Sequence, residues 1–112
     1  MNNRVWIYLS EKEFTDEQIK EISAEGEHFL SGWNAHGQPL SGSMQIYKKH
    51  FIIIKADEAQ FAASGCSIDK LVQFIKHIEQ KFQLSLFNRL LVAVQKDGRI
   101  EIMHSSKVPE YL

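Results

Sequence analysis

The chain has 112 residues, 44% of them hydrophobic and 24% charged. That is room for one domain whose core removes roughly two thirds of the unfolded surface from water, and it excludes a disordered or fibrous chain. Lysine and arginine number 13 against 14 acidic residues. The basic excess that accompanies tight binding to phosphate backbones is missing, and nucleic acid is not the expected partner.

Cys66 is the single cysteine, which excludes an intramolecular disulfide framework and an all-cysteine metal site and suits a reducing compartment. The apolar run behind Met1-Asn2-Asn3-Arg4 is too short and too alternating for a signal peptide, and no later run approaches a membrane-spanning length. The expected location is therefore cytoplasmic, with no membrane partner.

Val5, Ile7 and Leu9 alternate with Trp6, Tyr8 and Ser10, the period of a strand with two distinct faces. In Phe14-Thr15-Asp16-Glu17-Gln18-Ile19, Thr15 can cap a helix, Gln18 can close the capping box and Phe14 can staple onto Ile19. Ile19, Ile22, Phe29, Leu30 and Trp33 then recur at helical spacing, with Glu17, Glu21 and Glu25 on the opposite side. Gly26 interrupts this helix at a propensity cost of about 1 kcal/mol, marking either close packing against a sheet or a weak point.

The glycines and proline of Ser31 to Ser43 read as a loop. Met44 to Lys48 and Phe51 to Ala56 read as two strands joined through Lys49-His50, although that turn lacks a glycine or asparagine. After Ser64-Gly65-Cys66-Ser67, a second helix carries Ile68, Leu71, Val72, Ile75, Ile78 and Phe82 on one face. Leu90 to Gln95 follows as a strand, and Asp97-Gly98 signals a tight hairpin to a partner strand containing Ile100 and Ile102.

The order strand, helix, strand, strand, helix, strand, with one hairpin strand appended, is the α+β ferredoxin-like split βαβ arrangement. It forms a single domain over residues 1–112, with 105–112 as a tail. Two helices cover one face of such a sheet, so the other face needs water, a further segment or a second subunit. A homodimer is expected. Trp6 and Tyr8 are its interface candidates, since these residue types are enriched where subunits meet. Base stacking on the same aromatics is the weaker alternative, because Tyr47 to Ile54 lacks the glycine and paired aromatics of the usual RNA-binding motif.

Alternate connections in a right-handed split βαβ fold emerge at the same end of the sheet. The loop holding Asn34 and His36 should then lie beside the loop holding Cys66, near Arg4 and the Asp97-Gly98 turn. Backbone amides at Gly65, Cys66 and Ser67, at the positive end of a helix, can hold a small anion or lower a thiol pKa. The expected ligand-binding set is Asn34, His36, Ser64, Gly65, Cys66 and Ser67. If the loops meet, Cys66 is a candidate nucleophile or redox thiol with His36 as its base. The plainer alternative makes Ser64 or Ser67 a helix cap and Cys66 a small packing residue.

Gly32 to Gly37 has the glycine spacing of a phosphate-binding loop, but Gln38-Pro39 stands where lysine and a hydroxyl residue must follow. Trp33 is read as the end of the first helix's apolar stripe. His28, His36, His50, His77 and His104 form no HExxH or paired-cysteine pattern, so neither a metal nor a cofactor is expected.

Three segments, Trp33-Asn34-Ala35-His36-Gly37-Gln38-Pro39-Leu40, Ala62-Ala63-Ser64-Gly65-Cys66-Ser67-Ile68-Asp69 and Leu84-Ser85-Leu86-Phe87-Asn88-Arg89, together resemble a small bacterial family of short proteins. Members are sometimes catalogued as ABC transporter ATPases. The resemblance covers most of the chain and implies that the first two loops carry whatever function the family has. It does not imply ATP hydrolysis here, because that reaction needs a phosphate-binding loop, a magnesium-binding carboxylate and a nucleotide domain about twice this size.

Overall fold

The computed structural model describes residues 3–58, 62–87, 91–96 and 99–104. Strand β1 (Asn3–Leu9) leads to helix α1 (Asp16–Ser31), a small hairpin of β2 (Asn34–Ala35) and β3 (Gln38–Pro39), and then strands β4 (Ser41–Tyr47) and β5 (Phe51–Asp57). Helix α2 (Gly65–Phe82) precedes strands β6 (Leu91–Lys96) and β7 (Arg99–His104). The fold is α+β, with the ferredoxin-like split βαβ arrangement. β5 runs antiparallel between β1 and β4, so α1 crosses over it to join two parallel strands.

Both helices start where their caps dictate. Thr15 Oγ1 accepts from the Gln18 amide and the Gln18 side chain accepts from the Thr15 amide, each at 3.0 Å, while Phe14 is buried beneath the turn. At α2, Ser64 is the N-cap and Ser67 closes the box. The sheet face under the helices contributes Tyr8, Ile52, Ile54 and Ala56 to the core, and the helices contribute Ile22, Leu71, Ile75 and Ile78. Each of the fully buried isoleucine and leucine side chains stabilises the fold by about 1.5–3 kcal/mol relative to an exposed one.

Gly26 marks close packing. It is buried, and a Cβ there would collide with the Met44 methyl and lie 2.6 Å from the Met44 sulfur. Across the contact, a Cβ on Gly42 would stand 2.9 Å from Leu30 Cδ2 and 3.1 Å from the Trp33 ring. Two glycines thus let α1 settle onto β4 at a distance that side chains would prevent.

Two connections differ from their expected form. Within the segment read as loop, Ala35 pairs with Gln38 around a two-residue turn. His36 and Gly37 there have φ of 52° and 80°, the left-handed geometry of a primed hairpin turn, which His-Gly can supply as Asn-Gly does. The β4–β5 connection uses three residues, with Lys48 and Lys49 both left-handed at φ 53° and 61°. The segment after β1 braces it: the Phe14 amide donates to the Lys49 carbonyl at 2.7 Å and the Ser10 amide to the His50 carbonyl at 2.8 Å.

β6 and β7 pair with each other as a separate two-stranded sheet, leaving β1 the outer strand of its own sheet among the described residues. Lys96 pairs with Arg99. Asp97-Gly98 itself and the 105–112 tail lie outside the described residues. Among the described residues no helix is long and apolar enough to cross a membrane.

Candidate functional site

Tertiary packing brings the two signalled loops together. Trp33, which follows the last turn of α1, is 2% exposed and its Nε1 donates to the Ser67 carbonyl at 2.8 Å. Its ring also meets Trp6 edge-on, with centroids 5.7 Å apart, and Arg4 stands over Trp6 at 5.4 Å. Arg4, Trp33 and the start of α2 are therefore linked through the two tryptophan rings, while the Asp97-Gly98 turn expected beside them lies outside the described residues.

Several polar side chains expected in a pocket are engaged in local structure. Ser67 is buried, and its Oγ donates to the Ser64 carbonyl at 2.8 Å and accepts from the Ser64 amide at 2.7 Å. Ser64 Oγ accepts from the Ser67 amide at 3.2 Å. Asn34 Nδ2 donates to the Gly32 carbonyl at 3.0 Å, bracing the end of α1. His36 sits exposed on the β2–β3 turn.

The Gly65 and Cys66 amides, at the first two positions of α2, remain. Among the described residues neither has a hydrogen-bond partner, and nothing lies within 4 Å of where a Gly65 Cβ would point. Cys66 is exposed rather than packed. Among the described hydrogen bonds none joins it to His36. Two donors at a helix N-terminus beside an accessible thiol can receive a small anion.

Trp6 and Tyr8 require a correction. They project toward the helices: Tyr8 is buried, Trp6 packs against the core, and Tyr8 meets Phe87 edge-on at 5.4 Å. They cannot form the outer face, and base stacking on them is closed off for the same reason. The opposite parity of β1 carries that face. Val5 is 46% exposed and Ile7 61%. Ile7 stands opposite Ile53, and Leu9 opposite Phe51, which in turn faces Tyr47 on β4. The alternation of β1 was legible, but both of its faces are apolar, so the pattern did not say which one the helices would take.

Sequence reasoning also missed a cleft between α1 and α2. Glu25 Oε1 meets His77 Nε2 at 2.7 Å, and Glu25 Oε2 accepts from Lys81 Nζ at 2.8 Å. The Lys81 hydrogen bond, with a smaller contribution from His77, holds the Glu25 carboxyl below its ordinary range against a partial desolvation, and Glu25 in turn raises Lys81. Beneath this clamp the Phe29 and Phe74 rings stack with centroids 4.6 Å apart and planes 9° from parallel. The helical stripe had assigned Phe29 to the core. Among the described residues no three His, Cys, Asp or Glu side chains gather closely enough to hold a metal ion.

Comparison with family models, curated proteins and solved structures returned no match to this chain.

Proposed function

We propose that the chain is an assembly domain that pairs with a second copy of itself through the outer face of its three-stranded sheet. The observation that carries this reading is the exposure of Ile7, 61%, at the centre of a stripe with Val5, Leu9, Phe51, Ile53 and Tyr47. Clustered apolar groups on one surface favour burial against a like surface, whereas scattered ones need no partner. A second copy supplies the same stripe, and a two-fold axis lets each stripe cover the other.

Size sets the expected strength. Three strands about 4.8 Å apart and seven residues long at about 3.3 Å per residue span roughly 14 by 23 Å. Even allowing for side-chain relief, such a face falls short of the roughly 800 Å² per partner of a standard interface. A dimer through so small a face is expected to be weak and reversible.

Sedimentation equilibrium over a concentration series tests it, with Ile7→Lys as the variant. Ile7 is exposed but pairs across from Ile53, so the change costs folding about 1 kcal/mol or less, and a urea melt of the variant separates that cost from the loss of assembly. Concentration-dependent dimerisation abolished by Ile7→Lys is the expected result. A monomer at every concentration, or an undisturbed dimer in the variant, refutes the reading.

A second function, binding of a small anion at the start of α2, is favoured by the Gly65 and Cys66 amides, which have no hydrogen-bond partner among the described residues. It narrows the six-residue pocket to two backbone donors flanked by the Cys66 thiol, because Asn34, Ser64 and Ser67 spend their polar groups on local structure. An enzyme in which Cys66 attacks and His36 accepts the proton additionally needs the β2–β3 turn to bring His36 within hydrogen-bond reach of the thiol.

A further inference from the structure

We propose that the cleft between α1 and α2 binds a small planar aromatic carboxylate. The cleft has a volume of about 440 Å³ and is lined by Ala24, Glu25, His28, Phe29, Phe74 and His77. Ligand sites range over roughly 300–1,000 Å³, and this one accommodates one or two fused rings. It lies on the helix side of the domain, away from the outer sheet face, and is independent of the dimer.

The lining selects the ligand's chemistry. Phe29 and Phe74 are both only partly buried and stack nearly parallel, presenting apolar surface against which a flat ring gains contact by offset or edge-on packing. Above that wall, Glu25 is the single acidic lining residue, and both of its oxygens are already taken by His77 and Lys81. With Lys81 already offsetting its charge, Glu25 offers a ligand ammonium little uncompensated negative charge, even though each oxygen keeps a lone pair. An anionic group is drawn instead to the donors at the rim. The His28 imidazole is exposed and makes no hydrogen bond among the described residues, and it can donate to a carboxylate at the rim. Lys81, held at the same rim by Glu25, adds a nearby positive charge.

The test is titration of the uniformly labelled protein with 2-naphthoate, and separately with 2-naphthylmethylamine, followed by amide chemical shifts. Saturable shifts at Ala24, Phe29, Phe74 and His77 are expected with the carboxylate. Binding should be weaker by about tenfold in His28→Ala, the usual effect of removing a hydrogen bond to a charged group. Phe74→Leu, which keeps apolar volume while removing the ring, should weaken it as well. His28 is exposed, so His28→Ala should melt as the parent does and keeps the test independent of folding. The proposal is overturned if naphthoate shifts fail to saturate or fall outside the cleft, if the amine binds as tightly as the acid, or if His28→Ala binds naphthoate unchanged.

Discussion

The indole nitrogen of Trp33 donates a buried 2.8 Å hydrogen bond to the carbonyl oxygen of Ser67, a residue 34 positions later in the chain. This one bond connects the segment leaving α1 to the first turn of α2. It also explains why Trp33 is tryptophan: the ring fills the space above Gly42 while its N–H reaches the neighbouring helix. Trp33→Phe keeps an aromatic ring but removes the donor and part of the volume. A loss of about 2 kcal/mol is expected from the missing bond and the residual cavity, read as a lower urea midpoint at unchanged m-value. A loss under about 0.5 kcal/mol would show that the bond does not tie the loops together.

The start of α2 gives a second prediction. Inorganic phosphate titrated into the labelled protein should shift the Gly65 and Cys66 amides first and saturate, because these donors have no partner among the described residues and lie at the positive end of the helix. Added chloride should weaken the effect by competition and screening. Shifts spread evenly over basic surface residues would instead indicate diffuse charge attraction. In the same samples, Cys66 should alkylate in the native protein at a rate comparable to the unfolded chain, since it is exposed. Labelling that awaits unfolding would contradict its placement.

The Glu25 clamp makes stability depend on pH in a defined direction. The carboxyl is held below its ordinary value of 4.5, chiefly by the Lys81 hydrogen bond, so the folded state binds the proton less readily than the unfolded one. Its contribution is present above the unfolded carboxylate range and is lost as pH falls through the depressed folded value. Lys81 is raised by the same contact, so its contribution holds at neutral pH and disappears only as pH rises through the elevated lysine range. The stability difference between the parent and Glu25→Gln should therefore shrink below about pH 4, as measured by urea midpoints at each pH. A difference that goes on growing below that pH would refute the assignment, and added salt should reduce it at neutral pH.

The start of α1 was legible because capping is local chemistry: Thr15 and Gln18 satisfy amides only three positions away. At α2 the sequence left the cap between Ser64 and Ser67, and the helix begins at Gly65 with Ser64 as the cap. The β4–β5 pairing was also readable, though not its turn. Lys48 and Lys49 adopt left-handed backbone without glycine, and hydrogen bonds from the distant Ser10 and Phe14 hold that turn. Gly26 was ambiguous in sequence since its partner, Met44, lies on a strand 18 positions later.

What the sequence determined by itself was the order of elements and the α+β class, since periodicity and capping depend on neighbours along the chain. The tertiary structure alone decided which apolar face of β1 is covered, turning Trp6 and Tyr8 inward and Val5 and Ile7 outward. It likewise decided that Trp33 reaches Ser67 and that Phe29 and Phe74 meet beneath Glu25 and His77. These are contacts between residues far apart in the chain. Local spacing could nominate the residues for a face or a loop, but only the packing of helix on sheet and helix on helix chose their partners.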